Sequence, residues 1–387
     1  MSWPKVAISE FCVTGSGTTP SRKNAAYYGG DVPWVKSGEL VGNVISQTEE
    51  TVTEKAVAET SLKLAPAGAL LLAMYGANVG RIAELGIAAT TNQAICHIVP
   101  DPEVADRRYV FRTLETLADY FVHRGAGGAQ SNISQALIKQ TKIPLPPLEE
   151  QKRIAAILDK ADELRRLRRR AIDRLDTLAQ SIFYDMFGNS FQDTEITKFI
   201  RKIETGKNLV GNDDEDVSAY RVLKISAVNR NGFRPVETKA LPSGYEPPAA
   251  HFVRNGDLLF SRANTSELVG LACIVDQAPE RTALPDKLWR LVPESDARTE
   301  FLEQAILSPS SRRQIEQLCS GTSGSMKNIS KAKFETLRVP AATPELQKSF
   351  ANRCKSVREQ KRVGSLALEE TESLFASLQQ RAFRGEL

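Results

Sequence analysis

The chain writes one stretch twice, and the two copies stay in step. The first begins Ile143-Pro144-Leu145-Pro146-Pro147-Leu148-Glu149-Glu150-Gln151 and closes Phe183-Tyr184-Asp185-Met186-Phe187-Gly188. The second begins Val339-Pro340, continues Pro344-Glu345-Leu346-Gln347 and closes Ala382-Phe383-Arg384-Gly385. Asn132 and Asn328, Pro144 and Pro340, Gln151 and Gln347, Leu178 and Leu374, Phe187 and Phe383 are all 196 positions apart. An offset kept over roughly fifty residues marks an element that tolerates no insertion. Long paired helices behave that way, because one extra residue turns every later side chain off the contact seam.

Helix signals agree. Pro146 and Pro147 precede the first copy, Thr343 and Pro344 open the second as N-cap and first-turn proline, and Gly188 and Gly385 stand as stops. Ile154, Ile157, Ala161, Leu164, Ala171, Leu175, Leu178 and Ile182 alternate spacings of three and four, with Arg168 as the interruption. The second seam, Leu346, Phe350, Cys354, Val357, Ala367, Leu374 and Leu378, is rougher around Gln360 and Gly364.

What precedes each helix is a mixed globule. In the first, Val32–Lys36, Ala69–Met74 and Ile95–Val99 read as buried strands, and Arg107–Val122 as one helix with Val110, Phe111, Leu114, Leu117, Ala118 and Phe121 on its inner face. Lys36 answers Lys224 and Gly68-Ala69-Leu70-Leu71 answers Gly256-Asp257-Leu258-Leu259, both at 188, while Val99-Pro100 answers Val292-Pro293 at 193. The creeping offset means matched scaffolds with different loops, as expected of related modules that read different things. The expected fold is therefore α+β, with two similar α/β globules, residues 1–145 and 189–342. Helices 146–188 and 343–387 form an antiparallel two-helix coiled coil with a pseudo-two-fold repeat. About 36 residues at ~1.5 Å each make a rod of about 50 Å, enough to set two globules about one turn of B-DNA apart.

Composition adds limits. A net charge of +4 is compatible with a polyanionic partner without singling one out. Cys12, Cys96, Cys273, Cys319 and Cys354 are scattered singly, which suits reduced thiols and gives no metal-ligand spacing. The longest apolar run, Ala65 to Tyr75, is too short to span a bilayer, and the first residues lack a signal-peptide core, so a soluble, cytoplasmic protein is expected.

Two motifs then carry a resemblance. Gly17-Thr18-Thr19-Pro20-Ser21-Arg22 with Tyr27-Tyr28-Gly29-Gly30-Asp31-Val32-Pro33-Trp34-Val35 is similar to the first recognition domain of type I restriction–modification specificity subunits. Asn132-Ile133-Ser134 followed by the Ile143–Gln151 stretch resembles that family's junction between domain and spacer, and the layout agrees over essentially the whole chain. The resemblance implies two target recognition domains reading the halves of a split, asymmetric site in double-stranded DNA. It also implies a spacer that docks two modification subunits, which methylate adenine with S-adenosylmethionine, and restriction subunits that join them. In the second globule Thr205-Gly206-Lys207 replaces the fuller glycine–threonine–proline run.

No catalytic constellation is expected in this chain, and no cofactor of its own. Tyr245-Glu246-Pro247-Pro248 has the wrong order for an adenine methyltransferase motif, and Gly15-Ser16-Gly17 reads as a turn in a loop. Glu237-Thr238-Lys239 downstream of Asp216 matches a nuclease pattern only formally, and His97, His123 and His251 lack companions for a metal or a relay. Candidate DNA contacts are loop cations and amides, together with helix N-termini. In the first globule these are Arg22, Lys23, Lys36, Asn78, Arg81, Ser131 and Asn132, and in the second Lys207, Asn208, Lys224, Arg262, Asn264, Lys287, Lys327 and Asn328. Arg165, Arg166, Arg168, Arg169 and Arg170 crowd one rod segment, where they are placed to line the DNA between half-sites or to meet acidic methyltransferase surfaces; the interspersed Asp159, Asp162, Glu163, Asp173 and Asp176 favour the plainer reading, a charge-balanced solvated helix. A coiled-coil adaptor for protein or RNA, and a stand-alone DNA-modifying enzyme, remain the alternatives.

Overall fold

The structure is a computed structural model. It describes every residue except 1–2, 43, 126–131, 189–191, 208–219, 231, 243 and 322–325, and the side chain of Asp176 also lies outside the described set. The chain forms two compact units, Met1–Leu167 with Leu368–Leu387, and Arg168–Ala367. Each contains one globular head and parts of both long helices.

In the first unit a five-stranded sheet has the order Cys12–Ser16, Ile95–Pro100, Leu70–Ala73, Ile82–Leu85, Val44–Ile45. Leu70 and Leu72 face one apolar layer with Cys96, Ile98, Val110, Phe111 and Leu114, while Leu71 and Ala73 face another with Val35, Leu40, Ala83 and Leu85. That is the period-two alternation of a strand buried on both faces. A second, three-stranded sheet joins Glu50–Val52, Tyr28–Val35 and Thr90–Thr91. The expected helix over 107–122 is two helices, Arg107–Thr116 and Ala118–Gly125, because the backbone leaves helical geometry at Leu117. Gly15 and Gly17 are no turn. Gly15 lies in the strand opposite His97, where a Cβ would come within 2.3 Å of the imidazole, so glycine is what lets that ring pack.

The second unit repeats this plan in register. Its four-stranded sheet runs Ile200–Thr205, Leu288–Pro293, Leu258–Ser261, Ala272–Ile274. Leu70 pairs with Ile98 in one unit, and Leu258 pairs with Leu291 in the other, matching the offsets of 188 and 193. Cys12 pairs with Pro100 and Ile200 with Pro293, after which a bulge between Ile200 and Lys202 slips the second register. The heads are also closed alike, Lys5–Ala7 pairing with Lys142–Pro144 and Asp193–Glu195 with Arg338–Pro340.

The long helices are Leu148–Phe187 and Pro344–Arg384. Within the first unit, Ile154, Ala155 and Leu158 of the first helix cluster with Phe375 and Ala382 of the second. Within the second unit, Phe183 and Phe187 cluster with Phe350 and Cys354. Early residues of one helix thus meet late residues of the other in both places, and the pairing is antiparallel. Equivalent triads finish the packing: Phe383 lies 5.8 Å from Tyr109 beside Ile154, and Phe187 lies 5.2 Å from Phe301 and 5.6 Å from Phe350. Thr343 caps the second helix through Leu346 N (3.4 Å), and Gly385 ends it at φ 77°.

The seam differs from the expected one. Leu164 is 44% exposed and Leu374 is 54% exposed, whereas Asp162 and Thr371 point inward. The inward face of the first helix is set by its attachment to the head, because Arg112 draws Asp162 in at 3.0 Å and turns Leu164 out. Arg168 donates to the Ala367 carbonyl, and Gly364 faces Ile172, so the irregular positions serve helix–helix contact.

Each head is fixed to the helix that follows it by a buried glutamine. Gln151 accepts from Asp106 N (2.8 Å) and donates to Val104 O (3.1 Å) and Pro146 O (2.8 Å). Gln347 accepts from Arg298 N (3.0 Å) and donates to Ala342 O (3.0 Å). Beside these glutamines the two attachments carry opposite charge polarity. In the first unit the head supplies Arg108 and Arg112, and the helix supplies Asp159 (2.9 and 2.8 Å) and Asp162. In the second the head supplies Glu300 and Glu303, and the helix supplies Arg358 (3.8 and 2.6 Å).

Candidate nucleic-acid interface

The sequence candidates fall mainly into two loop clusters, one per unit. In the first, Trp34 Nε1 donates to Thr18 O (3.1 Å) and Tyr28 Oη donates to Pro20 O (2.6 Å), which pins the 18–22 segment over two rings. Arg22 folds back across them, 4.4 Å from the Tyr28 centroid and 5.2 Å from that of Trp34. Its guanidinium donates to both carboxylate oxygens of Glu50 (2.6 and 3.2 Å). Lys36 pairs with Glu49 (2.7 Å) and Glu50 (3.0 Å). Hydrogen bonds from Arg22 and then Lys36 hold the Glu50 carboxyl down at about 2. Asn78 reaches Ser37 Oγ at 3.5 Å, and Thr19 donates to Gln93. Lys23 and Arg81 are exposed.

The second cluster is built on the same backbone bridge. Tyr75 pairs with Asn132 in the first unit, and Ala263–Asn264 pairs with Lys327–Asn328 in the second. Arg262 donates from Nε to Asp286 O (2.9 Å), Lys207 bridges to Pro285, and the Lys287 carbonyl accepts from Arg262 N (3.2 Å). Asn264 donates to Ser261 Oγ (3.3 Å), and Lys327 donates to Gly321 O (2.8 Å). Lys207, Arg262, Asn264, Lys287, Lys327 and Asn328, spread over more than a hundred residues of sequence, therefore meet at one place. Lys224 lies half-buried at the end of the neighbouring strand, with its N–H bonded to Glu237 O (2.8 Å). Ser131 and Asn208, and with them Gly127 and Ser325, lie outside the described residues.

Several other groupings resolve as structure. Ser134 and Ser330 cap short helices through Leu137 N (3.1 Å) and Lys333 N (3.4 Å). Trp34 is core. In the arginine-rich rod segment Arg165 and Arg166 are tied to Asp162 (2.6 and 3.0 Å), and Arg166 also donates to Gly42 O (3.1 Å). His97 is buried with its imidazole pushed toward the neutral form by burial. Arg290, its counterpart in the second unit, is buried between Glu204 (3.1 Å) and Asp257 (3.0 Å). All five cysteines are unpaired, and burial pushes the Cys12, Cys96 and Cys354 thiols up to about 12. Among the described residues no group of His, Cys, Asp or Glu is placed to hold a metal ion, and no helix is long and apolar enough to cross a membrane. Sequence reasoning missed Glu49 and Glu50, which decide how Arg22 and Lys36 are presented, and the two glutamines that join heads to helices.

Comparison with known proteins agrees with this architecture. Residues 2–177 match the type I restriction modification DNA specificity domain. The chain is 31% identical over 212 residues to the type I restriction enzyme MjaIX specificity subunit of Methanocaldococcus jannaschii, covering 54% of this chain and 48% of that one. The matched stretch thus spans about half the length of that relative. Against the EcoKI specificity subunit of Escherichia coli K12 the identity is 23% over 417 residues, covering 100% of this chain and 89% of the relative. The fold is shared with the crystal structure of a type I S subunit from M. genitalium, at TM-score 0.60 and 12% identity over 99% of this chain and 96% of that one. It is also shared with a chain from a structure of a type I R–M system, at TM-score 0.58 and 18% identity over 100% and 98%. A match to the specificity domain on one head, the same plan repeated in the other and a helix pair joined to both make the chain similar to the specificity subunits of type I restriction–modification systems, with which it shares its fold.

Proposed function

We propose that this chain is the DNA-recognition component of a type I restriction–modification complex, each unit reading one half of a bipartite, asymmetric duplex site. The observation that carries the reading is the repeated bridge, Tyr75 with Asn132 and Ala263 with Asn328. One backbone frame presents a polar and aromatic loop set in the first unit and a basic one in the second. Matched frames with unlike side chains suit the reading of two unlike sequences. In this reading the candidates from Arg22 to Asn328 supply the contacts, and the paired helices dock two modification subunits. Those partners bring S-adenosylmethionine and the methyl transfer, restriction subunits join them in the cytoplasm, and this chain performs no catalysis.

The test is methylome sequencing of cells with and without this gene beside its modification partners. Loss of one split N6-methyladenine motif is the expected result. An unchanged methylome in a host whose modification subunits are active would sink the reading and favour an adaptor.

A further inference from the structure

We infer that Arg22 reads a guanine in the half-site of the first unit and that Glu50 is the positioning residue that presents it. This rests on the proposed role in DNA recognition and goes beyond it by assigning one base contact to one side chain. Arginine has five N–H donors in a fixed planar fork. The end-on pair, one N–H from each terminal nitrogen, is taken by the two Glu50 oxygens at 2.6 and 3.2 Å. Nε–H and the remaining N–H of Nη2 lie in the same plane along its side edge and form a second fork, whose two donors match guanine O6 and N7 in the major groove.

Three observations support this use over a simple surface ion pair. The side chain remains 55% exposed although it is held from two directions. Two aromatic rings lie against its guanidinium, and those rings are anchored by hydrogen bonds to the backbone of the segment that carries Arg22. These contacts reduce the rotamer freedom that a base contact would otherwise have to remove. Finally, Arg22 and Lys36 face Glu49 and Glu50 in a group of zero net charge. Such a group adds little sequence-independent attraction to phosphate, which is where a free arginine would act. What it retains is directional donors.

The experiment uses the full chain co-expressed with its modification subunits, with the methylated motif read by N6-methyladenine sequencing. The Arg22→Gln, Glu50→Gln double variant keeps local charge balanced. It is expected to relax one G·C requirement in one half-site by roughly 5- to 150-fold and to leave the other half-site intact. Arg22→Lys keeps the charge but loses the fork, and is expected to relax the same position. The inference is overturned if both variants keep the full motif, if the relaxed position is A·T, or if both half-sites weaken together. Thermal melting of each purified variant separates misfolding from lost reading; a variant melting with wild type and keeping its motif counts against Arg22. If the wild-type chain directs no split motif at all, the proposed function fails first and this assignment with it.

Discussion

Replacing Arg112 with methionine attacks the attachment of the first head at its centre. Arg112 is 3% exposed and reaches Asp159 at 2.8 Å, Asp162 at 3.0 Å and Glu115 at 2.8 Å. Removing one partner of a buried ion pair typically costs about 3–5 kcal/mol, because the other charge stays buried and uncompensated. Here Asp162 would keep Arg165 and Arg166, and Asp159 would keep Arg108, so the low end, about 3 kcal/mol, is expected. Denaturant unfolding in a Trp289→Phe background reports on the first unit alone, through Trp3 and Trp34. Adding Asp162→Leu to Arg112→Met should recover part of the loss, since an apolar pair of similar volume avoids the stranded charge. Acid provides an independent check. Burial works to raise Asp159 and Asp162, but the arginines outweigh it and both lie below the usual 3.8. A carboxyl depressed in the folded state stabilises above its unfolded value, and that stabilisation is lost as pH falls through the lower folded value. Glu115 is raised by burial and acts in the opposite sense. A loss under about 1 kcal/mol for Arg112→Met would refute the reasoning.

Gln151→Leu should destabilise the first unit more than Gln347→Leu destabilises the second, because it abandons three buried bonds rather than two; equal shifts in paired denaturation curves would contradict this. Phe350→Ala opens the cluster with Phe183 and Phe187 and should cost about 3–5 kcal/mol in urea unfolding of the second unit. Gly15→Ala drives a methyl into the His97 ring and should cost about 1–3 kcal/mol, partly relieved by His97→Ala in the same background. Between pH 4.5 and about 2, protonation of Glu50 should release the 18–22 segment; faster hydrogen exchange there than in Leu70–Ala73 is the expected observation.

Much of the plan was legible because it rests on periodicity. The offset of 196 survived in the helices, and the offsets of 188 and 193 reappear as matched pairings such as Leu70 with Ile98 and Leu258 with Leu291. What escaped depends on contacts distant in sequence. Glu50 meets Arg22 across 28 positions, which no local pattern announces. The break at Leu117 hid inside a continuous apolar face. Gln151 and Gln347 did leave a trace, as the polar residue shared by both junctions, yet only the structure shows their amides bonded to the head. The inward turn of Asp162 was illegible for a related reason: its partner, Arg112, lies 50 positions away.

The reversed polarity of the two attachments limits which heads can be exchanged. A head cut out at the proline junction and grafted onto the opposite helix would bring Arg108 and Arg112 against Lys355 and Arg358, or Glu300 and Glu303 against Asp159 and Asp162. Recombination that produces a working hybrid must therefore cross over beyond Asp162 or Arg358, carrying the first turns of the stalk with the head they were charged to receive.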